Sequence, residues 1–314
     1  MSLIHKRIEN TMLKKWMSLF LLLPMLSSFI YAGTPAQEDK KIAWIKNQTI
    51  IDAAILRGKP GMLYFYAGLA TASSIGAREE VESGEVRDIR RVGLSQETLN
   101  NRNVVALSRK FSCFEFNLDY SQQIAAQYNV TAYPAVIFTD PWGNEVSLCL
   151  GNVSAEMLIS FMEIFPEDYS DVLRWKKVLE EDGMDYEALS GMGEFYLNLE
   201  VWWKSIEFYN RALETKFVSE NEEALENIIL VIGLNELRMR NYKEAQNKFE
   251  SCLDVVADGK ERDKALLGLI LAQLGQDKIF RAERNLKKLK SQFPDSPAVE
   301  QAERYIQSVK DSKK

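Results

Sequence analysis

The chain has 314 residues, 46% of them apolar, with 45 acidic against 39 basic side chains and a formal net charge of −6. That length and apolar content supply about two domain cores, and the acidic balance excludes nucleic acid as a general electrostatic partner. The single histidine, His5, lies near the N-terminus. A chain processed beyond it has no histidine, which excludes Ser-His-Asp, Cys-His and histidine–metal chemistry.

Lys14 and Lys15 precede an apolar stretch from Trp16 to Tyr31, broken only by Ser18, Pro24, Ser27 and Ser28, and then the small residues Ala32 and Gly33. This order reads as a secretory signal peptide over residues 1–32. Cleavage is expected after Ala32, with Ala36 the second choice, and Met12 is an alternative start. The first 32 residues carry four Lys/Arg and one Glu, so their removal leaves a charge of about −9. The unbroken apolar core is shorter than the ~20 residues of a spanning helix, which disfavours a retained anchor. No cysteine stands at either cleavage site, which disfavours a lipid anchor. The expected location is the periplasm of a bacterial envelope, or outside the cell, with membrane contact only during export.

A charged linker, 33–39, leads into a region spanning 40–166. Asn47 is placed to cap a short helix with Ile51, Ala54 and Ile55 on one face. Gly58-Lys59-Pro60-Gly61 then punctuates the chain before Met62–Ala67, an aromatic-rich apolar run expected as a buried strand. The charged run Arg78 to Arg91 is expected as a solvated loop or helix, or as a lid. Further along, a helix is expected over 104–110, a strand over 111–118 and a helix over 121–128. Strands over 135–139 and 145–150 follow, joined by the turn Asp140-Pro141-Trp142-Gly143-Asn144, and a helix over 154–165 closes the region. The order β-α-β-α-β-β-α predicts a central mixed sheet with helices on both faces.

The run KPGMLYFYAGLATAS, the segment YNVTAYPAVIFTDPWGNE and Gly151 make this region resemble the thioredoxin superfamily. The resemblance implies that Pro134 is a cis-proline and that Tyr133, before it, pairs its backbone with an extended peptide. Ala70, Thr71, Ala72 and Ser73 stand where the family carries Cys-x-x-Cys. Tyr64 stands in the place of its buried acid and Leu69 in that of its tryptophan. Disulfide exchange needs a thiolate and a resolving thiol, so the degenerate motif implies a redox-inactive domain. Cys113 and Cys149 fall on strands that the family order sets at opposite edges, about 14 Å apart at strand spacing, too far for a disulfide. Neither they nor Cys252 have metal-ligand spacing, and all three read as small buried side chains.

Residues 167–311 are helical throughout in pattern. Gly193, Tyr196, Ser205, Tyr209 and Ala212 recur as Gly233, Glu236, Ala245, Phe249 and Cys252, an offset of 40. A looser third copy, Gly268, Gly275, Ala282, Leu286 and Leu289, fits if its turn is about two residues longer. Ser296 or Asp295 caps a final helix with Pro297 in its first turn, and Trp175, Val178 and Leu179 seal the other end. This pattern resembles the tetratricopeptide repeat, implying an all-α solenoid in which small residues admit the aromatic of a paired helix.

Both resemblances imply binding surfaces rather than a reaction centre. The expected function is protein or peptide binding by a scaffold, adaptor or chaperone-like protein, with no cofactor and no metal. Tyr133 and Pro134 are the candidate peptide site, faced by residues 70–73. Trp202 and Trp203 are the candidate anchors on the repeats. Two alternatives remain: a thiol oxidoreductase acting through Cys113 or Cys149, and a docking subunit for a separate redox enzyme.

Overall fold

The computed structural model describes residues 41–45, 58–68, 92–256 and 259–312, and the backbone alone at 78–80 and 86–88. The described residues fall within one compact unit, Lys40–Lys314. The expected signal peptide, the linker, the helix near 47–55 and Ala70–Ser73 lie outside the described residues.

Six strands are described: β1 (Gly61–Tyr66), β2 (Arg78–Glu80), β3 (Val86–Asp88), β4 (Ser112–Asn117), β5 (Ala135–Thr139) and β6 (Glu145–Leu150). Four form a mixed sheet of order β4-β1-β5-β6. β1 runs parallel to β4, with Met62 opposite Cys113, and antiparallel to β5, with Phe65 opposite Ala135. β5 and β6 are antiparallel, Val136 facing Cys149, with a register shift at Phe138/Thr139. β1 and β5 are buried along almost their whole length, which is why both read as continuous apolar runs without alternation. β2 and β3 form a separate antiparallel ladder, Arg78 opposite Asp88. The charged run is therefore a two-stranded ribbon in part, and the expected loop or helix is corrected there: a ladder separate from the main sheet needs no apolar alternation in its sequence.

Helices α1 (Gln96–Leu99), α2 (Arg102–Ser108), α3 (Gln122–Gln127) and α4 (Ala155–Glu163) flank the sheet. Val104 and Val105 of α2 and Leu158 and Met162 of α4 share a core with Met62, Tyr64, Val136 and Phe138. On the other face, Ala125 of α3 and the nearby Tyr128 join Leu63, Phe65, Phe114, Phe116 and Ile137. The sheet thus has helices on both faces, as its pattern predicts.

The rest is helical: α5 (Ser170–Glu181), α6 (Tyr186–Asn198), α7 (Trp202–Leu213), α8 (Lys216–Ser219), α9 (Glu222–Arg238), α10 (Tyr242–Val255), α11 (Arg262–Gly275), α12 (Ile279–Gln292) and α13 (Pro297–Asp311). Three helical pairs, α6/α7, α9/α10 and α11/α12, share one turn. Glu200, Arg240 and Asp277 occupy it with φ of 61°, 61° and 62°, and the next amide bonds back five residues in each, Val201 to Tyr196, Asn241 to Glu236 and Lys278 to Gln273, at 2.8–2.9 Å.

A Cβ on Gly193 would lie 2.9 Å from the Tyr209 ring and one on Gly233 would lie 2.8 Å from that of Phe249, so the ring occupies the space that a side chain would fill. The third pair corrects the expected register. Its turn, residues 276–278, is as long as the other two, and the counterpart of Gly233 is Ile270 rather than Gly268. Gly268 instead faces Phe249 of the preceding pair, much as Gly191 faces Trp175 of α5. Ser296 caps α13 by accepting from Ala298 N, with Pro297 in the first turn.

The core does not stop at residue 166. Met192, Phe195 and Tyr196 of α6, with Leu199 and Val201 of its turn, belong to the cluster that contains Met62, Tyr64 and Phe138. Among the described residues no helix is long and apolar enough to cross a membrane.

Candidate functional site

The two ends of the four-stranded sheet differ. One end is formed where β1 and β4 finish and β5 begins, and it carries Gly68, Asp119, Tyr133, Pro134 and Gly151. At the other end β5 finishes at Thr139 and turns at Asp140. The ends are separated by the length of β5, about 20 Å from residue 134 to residue 140 at strand rise.

At the first end the Tyr133–Pro134 bond is cis. Pro134 is buried, and its carbonyl accepts a hydrogen bond from Gly151 N at 2.7 Å. Tyr133 is half-buried against the α3 face of the core. Extending the β1/β5 register beyond Phe65↔Ala135 would bring Tyr133 opposite Ala67. Ala67 instead exchanges both its backbone hydrogen bonds with Val92, each 3.0 Å. The segment after Val92 is held in place by Tyr64, whose buried hydroxyl accepts from Leu94 N at 2.9 Å. Among the described residues, the Tyr133 amide and carbonyl have no hydrogen-bond partner. An extended chain could pair there without displacing a ladder bond. Nearby, Tyr120, just after β4, is 81% exposed.

The other end is a polar junction that the sequence reading missed. Asp140, with no exposed surface, accepts from Trp142 N and Asn144 N, each 2.9 Å from Oδ1, and from Asn144 Nδ2, 2.7 Å from Oδ2. The Tyr196 hydroxyl donates to Oδ2 at 2.8 Å and Lys204 Nζ lies 3.3 Å from the same atom. The Lys204 ammonium also sits 4.7 Å over the Tyr196 ring. Burial first, and then the Asp140 carboxylate, push the Tyr196 hydroxyl's pKa well up, so it remains a donor. An Asp-Pro turn was visible in the sequence; its partners 56 and 64 residues on were not.

Of the two tryptophans, Trp202 is half-buried beneath the Arg238 guanidinium, 4.5 Å from the ring centre, whereas Trp203 is 54% exposed. Lys204 Nζ lies 5.5 Å from the Trp203 ring, so both tryptophans, which begin α7, belong with the Asp140 end. Pro134 and Trp203 are not brought together. Ala70, Thr71, Ala72 and Ser73 lie outside the described residues.

Cys113, Cys149 and Cys252 are free and buried, with their thiols pushed up to about 12, by desolvation first in each case. Cys113 and Cys149 stand on opposite edge strands of the sheet. Among the described residues no group of three or more His, Cys, Asp or Glu could hold a metal ion.

No family model matches the chain, and no curated protein does. Among solved structures it is similar to the Arabidopsis OM64 TPR domain, with 15% sequence identity and a TM-score of 0.33, the match covering 39% of this chain and 94% of that chain.

Proposed function

We propose that this chain is an exported, redox-inactive protein that binds other proteins or peptides, built from a thioredoxin-like part and a tetratricopeptide-type array. The carrying observation is the Tyr133 backbone, unpartnered among the described residues, beside buried Pro134, an edge suited to an extended peptide. The strand order β4-β1-β5-β6, parallel at β1/β4 and antiparallel thereafter, supports the thioredoxin-like reading. The shared turn and the glycine-to-ring contacts support the repeat reading. Trp203, exposed at the start of α7, is the anchor on the repeats. Burial of Cys113 and Cys149, with raised thiol pKa values, favours this reading over an oxidoreductase acting through either one.

The test is a photo-cross-linking amino acid placed at Tyr133 or at Trp203 in the full chain, expressed in its native envelope. Capture of a specific protein at Tyr133 is the expected result. Capture at Trp203 alone moves recognition to the repeats, and a captured oxidoreductase favours the docking-subunit alternative. Specific capture at neither position overturns the binding reading. Export is checked by the mature N-terminus, expected at Gly33, or at Gln37 for the second cleavage site.

A further inference from the structure

The sheet has two edges, and the chain treats them differently. Along β4, Ile45 forms a parallel bridge to Phe114, and its amide bonds to Cys113 O at 2.8 Å. Along β6 no described residue does the same.

Backbone alternation fixes which groups β6 leaves open. Pro60 O and Tyr66 O accept from Ser112 N and Leu118 N, so even-numbered residues of β1 turn their peptide groups towards β4 and odd ones towards β5. In the antiparallel β1/β5 register, Ala135 and Ile137 therefore face β1, and Val136 and Phe138 face β6. Their partners Cys149 and Ser147 spend their peptide groups on β5, an alternation that continues in Gly151 N to Pro134 O. Leu148 and Leu150 thus point their N–H and C=O groups outward, and among the described residues nothing accepts or donates to them.

Edge strands are usually guarded by lysine, proline or inward charge. The stretch Val146–Gly151 has none of these. Leu150 is 46% exposed, and Met157 in the first turn of α4, seven residues on, is 50% exposed.

We propose that two copies of this chain join antiparallel through β6, continuing the sheet across a two-fold axis. With the axis at Cys149, Leu148 of one copy meets Leu150 of the other, so the outward groups of these residues are matched by their symmetry mates. The same register places the two Glu145 side chains at opposite ends of the paired stretch. On a protein of net charge −6, this charge-free edge is where a second copy approaches without like charges facing. A strand-edge contact of this length lies at the small end of interface sizes, so association is reversible and concentration-dependent.

Sedimentation equilibrium of the purified full chain is expected to show a monomer–dimer equilibrium. Leu150→Pro removes an outward donor while leaving the β5 ladder bonds intact, and is expected to weaken dimerisation at least tenfold with unchanged circular dichroism. Hydrogen exchange on the unaltered chain gives an independent reading: the Leu148 and Leu150 amides should gain protection as concentration rises. A one-chain mass up to the solubility limit overturns the proposal, as does a dimer in which these two amides exchange freely at every concentration. Neither readout depends on a ligand at Tyr133, so failure here is separable from failure of the peptide-binding reading.

Discussion

The sheet and the helical pairs are held together over different distances along the chain. Around the sheet, the rings of Phe111, Phe138 and Phe165 meet with centroids 4.9–5.9 Å apart, although only Phe138 lies on a strand and the three are spread over more than fifty residues. In the helical part, the ring that fills a gap lies one helix away from the glycine that makes it, as with Gly193 and Tyr209 or Gly233 and Phe249. A defect in the helices is therefore absorbed by neighbours, whereas a defect in the sheet disturbs elements remote in sequence. Asp140 joins the two regimes, because its carboxylate binds its own hairpin and also Tyr196 and Lys204 of the first helical pair.

The largest expected effect is at that joint. Asp140→Ala leaves the buried Tyr196 hydroxyl without its acceptor and the half-buried Lys204 ammonium without its counter-charge and is expected to cost about 3–5 kcal/mol, read by urea unfolding. The continuous core predicts one transition; separate unfolding of sheet and helices would break the idea that the joint couples them. Next is Gly268→Ala, whose new Cβ would enter the Phe249 ring and is expected to cost about 1–3 kcal/mol. Gly151→Ala sharpens the contrast: its φ is +79° but nothing lies within 4 Å of the added Cβ, so only backbone strain of about 1 kcal/mol is expected. The smallest effect, and a stabilising one, is Arg240→Gly at φ 61°, expected to gain about 0.5 kcal/mol in the same assay.

The buried thiols give a test that spans both regions. Their folded pKa values, about 12, exceed the roughly 8.5 of an exposed cysteine. The unfolded chain therefore loses these protons first as pH rises, and stability contributed by the protonated thiols is present below the unfolded value and lost between about 8.5 and 12. Thermal melts should fall across that interval and fall less when Cys113 is replaced by alanine after correction for the cavity. A thiol reagent should label none of the three in the native protein at neutral pH and all three in denaturant.

Strands β1, β4, β5 and β6 were legible because apolar runs and flanking turn residues report burial directly, and the helical offset of 40 was legible because its contacts are local. The third pair misled because Gly268 resembles Gly233 in identity while standing in the position of Gly191; only the partner ring, Phe249 rather than one from its own pair, tells them apart. The ribbon β2/β3 was hidden by its charge, since a ladder standing apart from the main sheet needs no apolar alternation. Short α1 was missed although Ser95 caps it through Thr98 N. At the candidate site, Tyr133 and Pro134 were legible as a motif, but the exchange of hydrogen bonds between Ala67 and Val92 was not, because it joins segments 25 residues apart with no pattern between them. Asp140 looked like an ordinary turn residue because its burial is conferred from outside the turn.

The left-handed turn repeated at Glu200, Arg240 and Asp277 gives the helical part the character of a ruler. Each graduation is one pair carrying the same bend, so the angle between its two helices is set by backbone geometry more than by which side chains fill the gap. A whole pair inserted or removed between the first and last would change the ruler's length while leaving the mount at Asp140 and the polar end helix as they are. Reach is thereby separable from attachment, and the distance spanned from the sheet can be altered in units without redesigning either end.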